Sequence, residues 1–129
     1  MDIRTHLEPL EADAAEYGLV DPFAREWFAL HETATIVNAM AGLKLPPLQS
    51  EVQDFPAAIR AAGGWRYQWV KQDLDDLSAM LQAGLAALLA LQARGIKAAA
   101  LAAVLWQEFI AGRDALISLL PSPSDQSKA

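Results

Sequence analysis

Between Asp76 and Glu108 the chain carries only two charges, Arg94 and Lys97, and they flank Gly95. The other residues are Leu, Ala, Met, Gly, Val, Ile and Trp, relieved by Ser78, Gln82, Gln92 and Gln107. Gly95 stands where a helix C′ residue belongs, with Arg94 in the last turn, so two helices joined by a very tight turn are expected. Upstream, Val70, Leu74, Leu77, Leu81, Gly84, Leu88 and Leu91 keep a 4, 3 spacing over three heptads, within a helix from about Trp65 to Arg94. Downstream, a helix from Ile96 to Leu120 is closed by Pro121. Its apolar arc is wide (Ala102, Leu105, Trp106, Phe109, Ile110, Leu116, Ile117 and Leu120), and its polar edge is Gln107, Asp114 and Ser118.

The rest of the chain reads as helix as well. Asp21-Pro22 is an N-cap followed by proline at N1. Phe23, Trp27, Leu30, Ala34, Val37 and Ala41 then repeat 4, 3, 4, 3, 4 up to Gly42, a helix of about 20 residues and roughly 30 Å. Leu45-Pro46-Pro47-Leu48 is stiff and extended. Ser50 with Gln53 suggests a cap, Phe55-Pro56 an interruption, and Gly63-Gly64 a stop, giving a short or kinked helix that finishes at Ala62. Near the N-terminus Ile3, Leu7, Leu10, Ala14 and Tyr17 form a further amphipathic stripe behind a Thr5/Glu8 capping box. Its outer face of Glu8, Glu11, Asp13 and Glu16 suits solvent, or a basic groove on another protein. Residues 121–129 have nothing to bury and are expected to be disordered. The expectation is therefore one all-α domain over residues 1–120, an up-and-down bundle of four to five helices with a long C-terminal helical hairpin.

Composition narrows the possible functions. With 53% hydrophobic and 20% charged residues, the chain is built to fold. It has no cysteine, which removes disulfides, thiolate zinc sites and thiol catalysis and suits a reducing, cytoplasmic setting. No apolar run of signal-peptide type opens the chain. The net charge of −6 sits in residues 1–62, which repels nucleic acid and anionic membrane surfaces. No phosphate loop, nucleophile elbow, HExxH, EF-hand or dinucleotide fingerprint is present, so no catalytic residue, cofactor or metal ligand is assigned. His31 has no second ligand at i+3 or i+4 on its inner face, and Glu26 and Glu32 are placed outward.

Two groups of residues are out of place for a small bundle. The back of the third helix is Ala79, Ala83, Ala86, Ala90 and Ala93, where a surface helix should be polar. Alanine tolerates water and favours helix; alternatively, this ridge packs on another copy or a partner protein. A membrane hairpin is the third reading, at the short end of the spanning range and with two glutamines in the run. The second group is polar residues on inner faces: His31 and Asn38 beside Trp27, with Asp73 and Arg113 brought within about one turn of each other if the last two helices pair antiparallel. Together with Trp69 and Trp106 they outline a pocket in which a carboxylate and a guanidinium hold a small ligand, or His31 acts as base. The structural alternative is a satisfied polar network, or an arginine stem lying along the core. Trp65-Arg66-Tyr67-Gln68-Trp69 is either a binding epitope or a plug at the bundle end, with Arg66 over an indole.

The function expected from these features is a non-catalytic interaction or assembly protein (adaptor, chaperone or accessory subunit). It would self-associate as a homodimer through the alanine face and Trp65. The alternative is a small-molecule-binding bundle, a sensor or minor enzyme, built on Trp27, His31, Asn38, Trp69, Asp73, Trp106 and Arg113.

Overall fold

The structure, a computed structural model, describes residues 21–121. The amphipathic stripe from Ile3 to Tyr17 and the tail beyond Pro121 lie outside the described residues. Within them the chain forms α1 (Pro22–Ala41), α2 (Ser50–Ala62), α3 (Gly64–Ala93) and α4 (Ala99–Ile117), and no strand.

α1 starts as its sequence dictates. The Asp21 side chain accepts from the Phe23 N–H at 3.2 Å, Pro22 occupies the first turn, and Gly42 closes the other end. Phe23, Trp27, Leu30, Ala34 and Val37 are all buried, so the 4, 3 stripe is the core face. Residues 43–49 then run without helix, as the two prolines require.

α2 departs from expectation. Ser50 is its first helical residue rather than its cap; Gln49 caps it without a side-chain bond, and Gln53 Nε2 instead donates to the Leu48 carbonyl at 3.2 Å. Pro56 does not break the helix but sits inside it. A proline at this position has no N–H for the carbonyl four residues back, which is that of Val52. That carbonyl accepts from Trp27 Nε1 at 2.8 Å, in a buried contact. The indole of α1 thus supplies the donor that Pro56 lacks, and the helix continues.

One residue, Gly63, separates α2 from α3. Its φ of 60° and ψ of −161° lie in a region that only glycine occupies without strain. At the far end of α3, the Gly95 N–H donates to Gln92 O and the Ile96 N–H to Leu91 O, both at 3.0 Å. With Gly95 at φ 77°, this is a Schellman motif with glycine at C′. The turn also takes up Ile96–Ala98, so α4 starts three residues later than the periodicity suggests.

Two close contacts register α3 against α4: Gly84 faces Leu105, and Gly112 faces Leu77. As one helix advances by seven residues, the other retreats by seven. α1 packs on both α3 and α4, and α2 lies against all three. Trp27, Phe55, Phe109, Ile59, Leu74 and Leu81 are the largest fully buried side chains, with the Trp27 and Phe55 rings 4.5 Å apart.

Candidate functional site

The middle of α1 places Trp27, His31 and Ala34 in successive turns on one line. The His31 ring leans on Trp27 (centroids 4.8 Å apart) and meets Phe109 of α4 edge-on at 5.4 Å. Its Nδ1 lies 2.8 Å from the Trp27 carbonyl oxygen. A carbonyl only accepts, so Nδ1 carries the proton and Nε2 presents its lone pair. Nε2 is buried and has no hydrogen-bond partner among the described residues. Burial, against the bond to the Trp27 carbonyl and with the nearby positive charge of Arg113, holds the imidazole below its ordinary pKa.

α4 brings Trp106, Phe109 and Arg113 to the same side at helical spacing. Trp106 and Phe109 pack with centroids 5.5 Å apart, and the Arg113 guanidinium lies 5.6 Å from the centre of the Phe109 ring. The segment bearing Pro46-Pro47 closes the third side. The result is a cleft of about 710 Å³, walled by Phe28, Leu45, Leu48, Trp106 and Phe109, with His31, Thr35, Glu32, Gln49, Arg113 and Asp114 as its polar groups.

The residues expected to form one pocket are divided among three places. His31, Trp106 and Arg113 line this cleft. Trp27 is fully buried in the core and Asn38 is buried with Nδ2 unpartnered. Trp69 and Asp73 line a shallower groove on the outer side of α3 and α4, with Met80 and Leu119. The Asp73–Arg113 pair does not form: Arg113 Nε is 3.4 Å from Asp114 instead. The level was right, because Leu77 meets α4 at Gly112. One residue further on, a rotation of about 100° carries Arg113 away from α3 and toward Phe109. Of the aromatic cluster, Tyr67 turns inward against Phe23 at 5.5 Å. Trp65 and Trp69 are 61% and 58% exposed, so they do not seal the bundle end. Arg66 does lie over Trp65, 4.7 Å from the ring centre.

The second feature is the back of the last two helices. Ala79, Ala83, Ala86, Ala90 and Ala93 are all exposed. Next to the Gly84–Leu105 contact, Leu101 and Val104 of α4 are 54% and 55% exposed. From Leu77 to Ala93 no charge interrupts this surface. By length and composition α3 passes as a membrane span, with 22% of its apolar window buried.

Sequence reasoning missed one carboxyl pair. Glu26, placed outward by periodicity, is half-buried and shares a hydrogen bond with Asp75 of α3; burial first, then the Asp75 bond and charge, push its pKa up to about 7. No spacing within one helix reports such a pair, because it depends on which turns of α1 and α3 meet. Unfolded, Glu26 gives up its proton near pH 4.5; folded, it keeps it to about 7. The native state therefore binds more protons in that window, and the pair's contribution to stability is full below pH 4.5 and lost as pH rises through 7. Glu26→Gln is expected to raise the melting temperature at pH 8 and leave it nearly unchanged at pH 4.5. Thermal unfolding followed by circular dichroism at both pH values checks this; equal effects at the two would show that the pair does not share a proton.

Among the described residues, no group of three or more His, Cys, Asp or Glu is placed to hold a metal ion. Comparison with protein-family models, with curated proteins and with solved structures finds no match to this chain.

Proposed function

We propose that the chain is a non-catalytic helical interaction or assembly protein, an adaptor, chaperone or accessory subunit, that self-associates through the back of α3 and α4. In this reading the molecule is an up-and-down bundle with the α3–α4 hairpin as its spine, consistent with the opposed Gly84–Leu105 and Gly112–Leu77 contacts. The observation that carries it is the exposed alanine ridge of α3, free of charge from Leu77 to Ala93, with Leu101 and Val104 exposed on α4. Exposed apolar surface without charges marks association sites, and small side chains let a second helix approach closely. A homodimer puts the same ridge on both sides of a two-fold axis, so one patch serves as its own partner. Two glutamines in the run, Gln82 and Gln92, are exposed and suit a protein partner better than lipid tails. The lack of cysteine fits a cytoplasmic setting.

Ala86→Glu and Ala90→Glu each bury a carboxylate in such an interface. They are expected to weaken association by on the order of 3 kcal/mol, roughly a hundredfold in Kd, while leaving the helical circular dichroism signal intact. Light scattering across a concentration series reads this directly. A monomer at the highest concentration of the unaltered protein would remove the reading, as would a need for detergent to keep it in solution.

A further inference from the structure

We propose that the cleft between α1, the Pro46-Pro47 segment and α4 binds a small hydroxy-carboxylic acid with an aromatic or branched aliphatic body. The carboxylate sits on Arg113, and the hydroxyl donates to His31 Nε2. The proposal is independent of self-association, which uses the other side of the molecule.

Three observations carry it. The first is size and lining: about 710 Å³ walled by aromatic, leucine and proline side chains lies within the usual range for small-ligand sites, roughly 300–1,000 Å³. The second is a cation that is poorly matched. The Arg113 side chain is 16% exposed, yet among the described residues its one carboxylate partner, Asp114, is 60% exposed and no nearer than 3.4 Å. Guanidinium–carboxylate bonds normally close to about 2.7–2.9 Å. A ligand carboxylate that enters from the cleft can approach the fork at that distance, and Asp114 is free to turn to solvent. The third is the orphaned acceptor. Buried polar atoms are almost always paired, and Nε2 of His31 is not. Its tautomer is set by the Trp27 carbonyl on the other nitrogen, so what it lacks is a donor.

These groups select the ligand class. An anion is called for by Arg113, an apolar body by Phe28, Leu45, Leu48, Trp106 and Phe109, and a donor near the acid by His31. A dianion fits less well, because Glu32 and Asp114 stand on the rim. Nε2 is closed off from solvent, so binding requires a wall side chain to give way as the carboxylate docks.

The probe is 3-phenyllactate, followed through the Trp106 indole N–H resonance and by calorimetry. Saturable millimolar or tighter binding is expected. 3-Phenyllactamide, which lacks the charge, and the Arg113→Gln variant should each bind roughly tenfold more weakly or worse, the cost of one charge-assisted hydrogen bond. 3-Phenylpropanoate, which lacks the hydroxyl, should bind more weakly than phenyllactate to the unaltered protein. It should bind equally to His31→Phe, which keeps the edge-on packing with Phe109. Because the amide and deoxy comparisons are made on unaltered protein, they stand even if a variant unfolds. No saturable shift with phenyllactate overturns the proposal, and so does equal binding of acid and amide. Equal binding of phenyllactate and phenylpropanoate to the unaltered protein overturns the role of His31.

Discussion

Replacing Trp27 by alanine is expected to destabilise the fold by about 3–5 kcal/mol, the usual cost of deleting a large buried aromatic side chain. The more telling substitution is Trp27→Phe. Most of the ring volume stays between Phe55 and His31, but the indole N–H is lost, and with it the donor to the Val52 carbonyl. A buried carbonyl without a partner costs about 1–3 kcal/mol. The origin of the need is Pro56, which cannot supply that donor itself. Pro56→Ala restores an N–H at the position that faces Val52, so in the Trp27→Phe background it should recover part of the loss. In the unaltered protein the same change gains little and removes a buried ring. Urea unfolding of the four proteins measures the coupling as a double-mutant cycle. Additive effects would mean that the indole and the proline do not serve the same carbonyl.

The second large effect is expected at Gly84. A Cβ built there comes within 2.7 and 2.8 Å of the two methyl carbons of Leu105, closer than van der Waals contact permits. Alanine gains about 1 kcal/mol of helix propensity over glycine and presses on the flexible end of one side chain, so Gly84→Ala should be close to neutral. Gly84→Val adds two further methyl groups in the same gap and has to push α3 from α4. Overpacking of this kind costs about 1–3 kcal/mol. Leu105→Ala alone leaves a cavity, yet combined with Gly84→Val it makes room for the added methyls, so the double variant should be more stable than the sum of the two losses. Thermal unfolding of these four variants beside the unaltered protein decides it. If Gly84→Val melts with the unaltered protein, the helices are not held at that distance by the glycine.

How much of this was legible beforehand differs from one residue to the next. Asp21-Pro22, Gly42, Gly63 and Gly95 mark helix ends in the sequence because capping and positive φ are properties of one or two residues and their immediate neighbours. The stripe from Phe23 to Val37 was legible because burial on one helix face repeats with the helix period. Phe55-Pro56 reads as an interruption in a short or kinked helix that ends at Ala62; the helix does end there, and the bond that carries it through Pro56 comes from Trp27, 25 residues away in the chain. Glu26 was misread as outward for the same reason, since Asp75 belongs to another helix. Arg113 and Asp73 were placed at the right height and on the wrong sides, because a shift of one residue in the seam turns a side chain through about 100°.

The cleft shows the same limit. His31, Trp106 and Arg113 stand out as polar or aromatic residues on inner faces, yet nothing in their spacing joins them to Leu45 and Leu48. That wall exists only because the proline segment folds back across α1 and α4.

Taken by itself, the amino-acid order determined that this chain is helical, where most of its helices stop, which faces carry the core, and that a long stretch after Asp76 lacks the charges of an ordinary surface. Each of those is a local property, settled by backbone geometry and by a periodicity within one element. Only the tertiary structure decided which donor rescues Val52, which carboxyls come together, and which of the inner-face residues meet at a cleft. Those outcomes depend on the rotation and height of one helix against another, quantities that packing sets through contacts such as Gly84 on Leu105 and that no single segment contains.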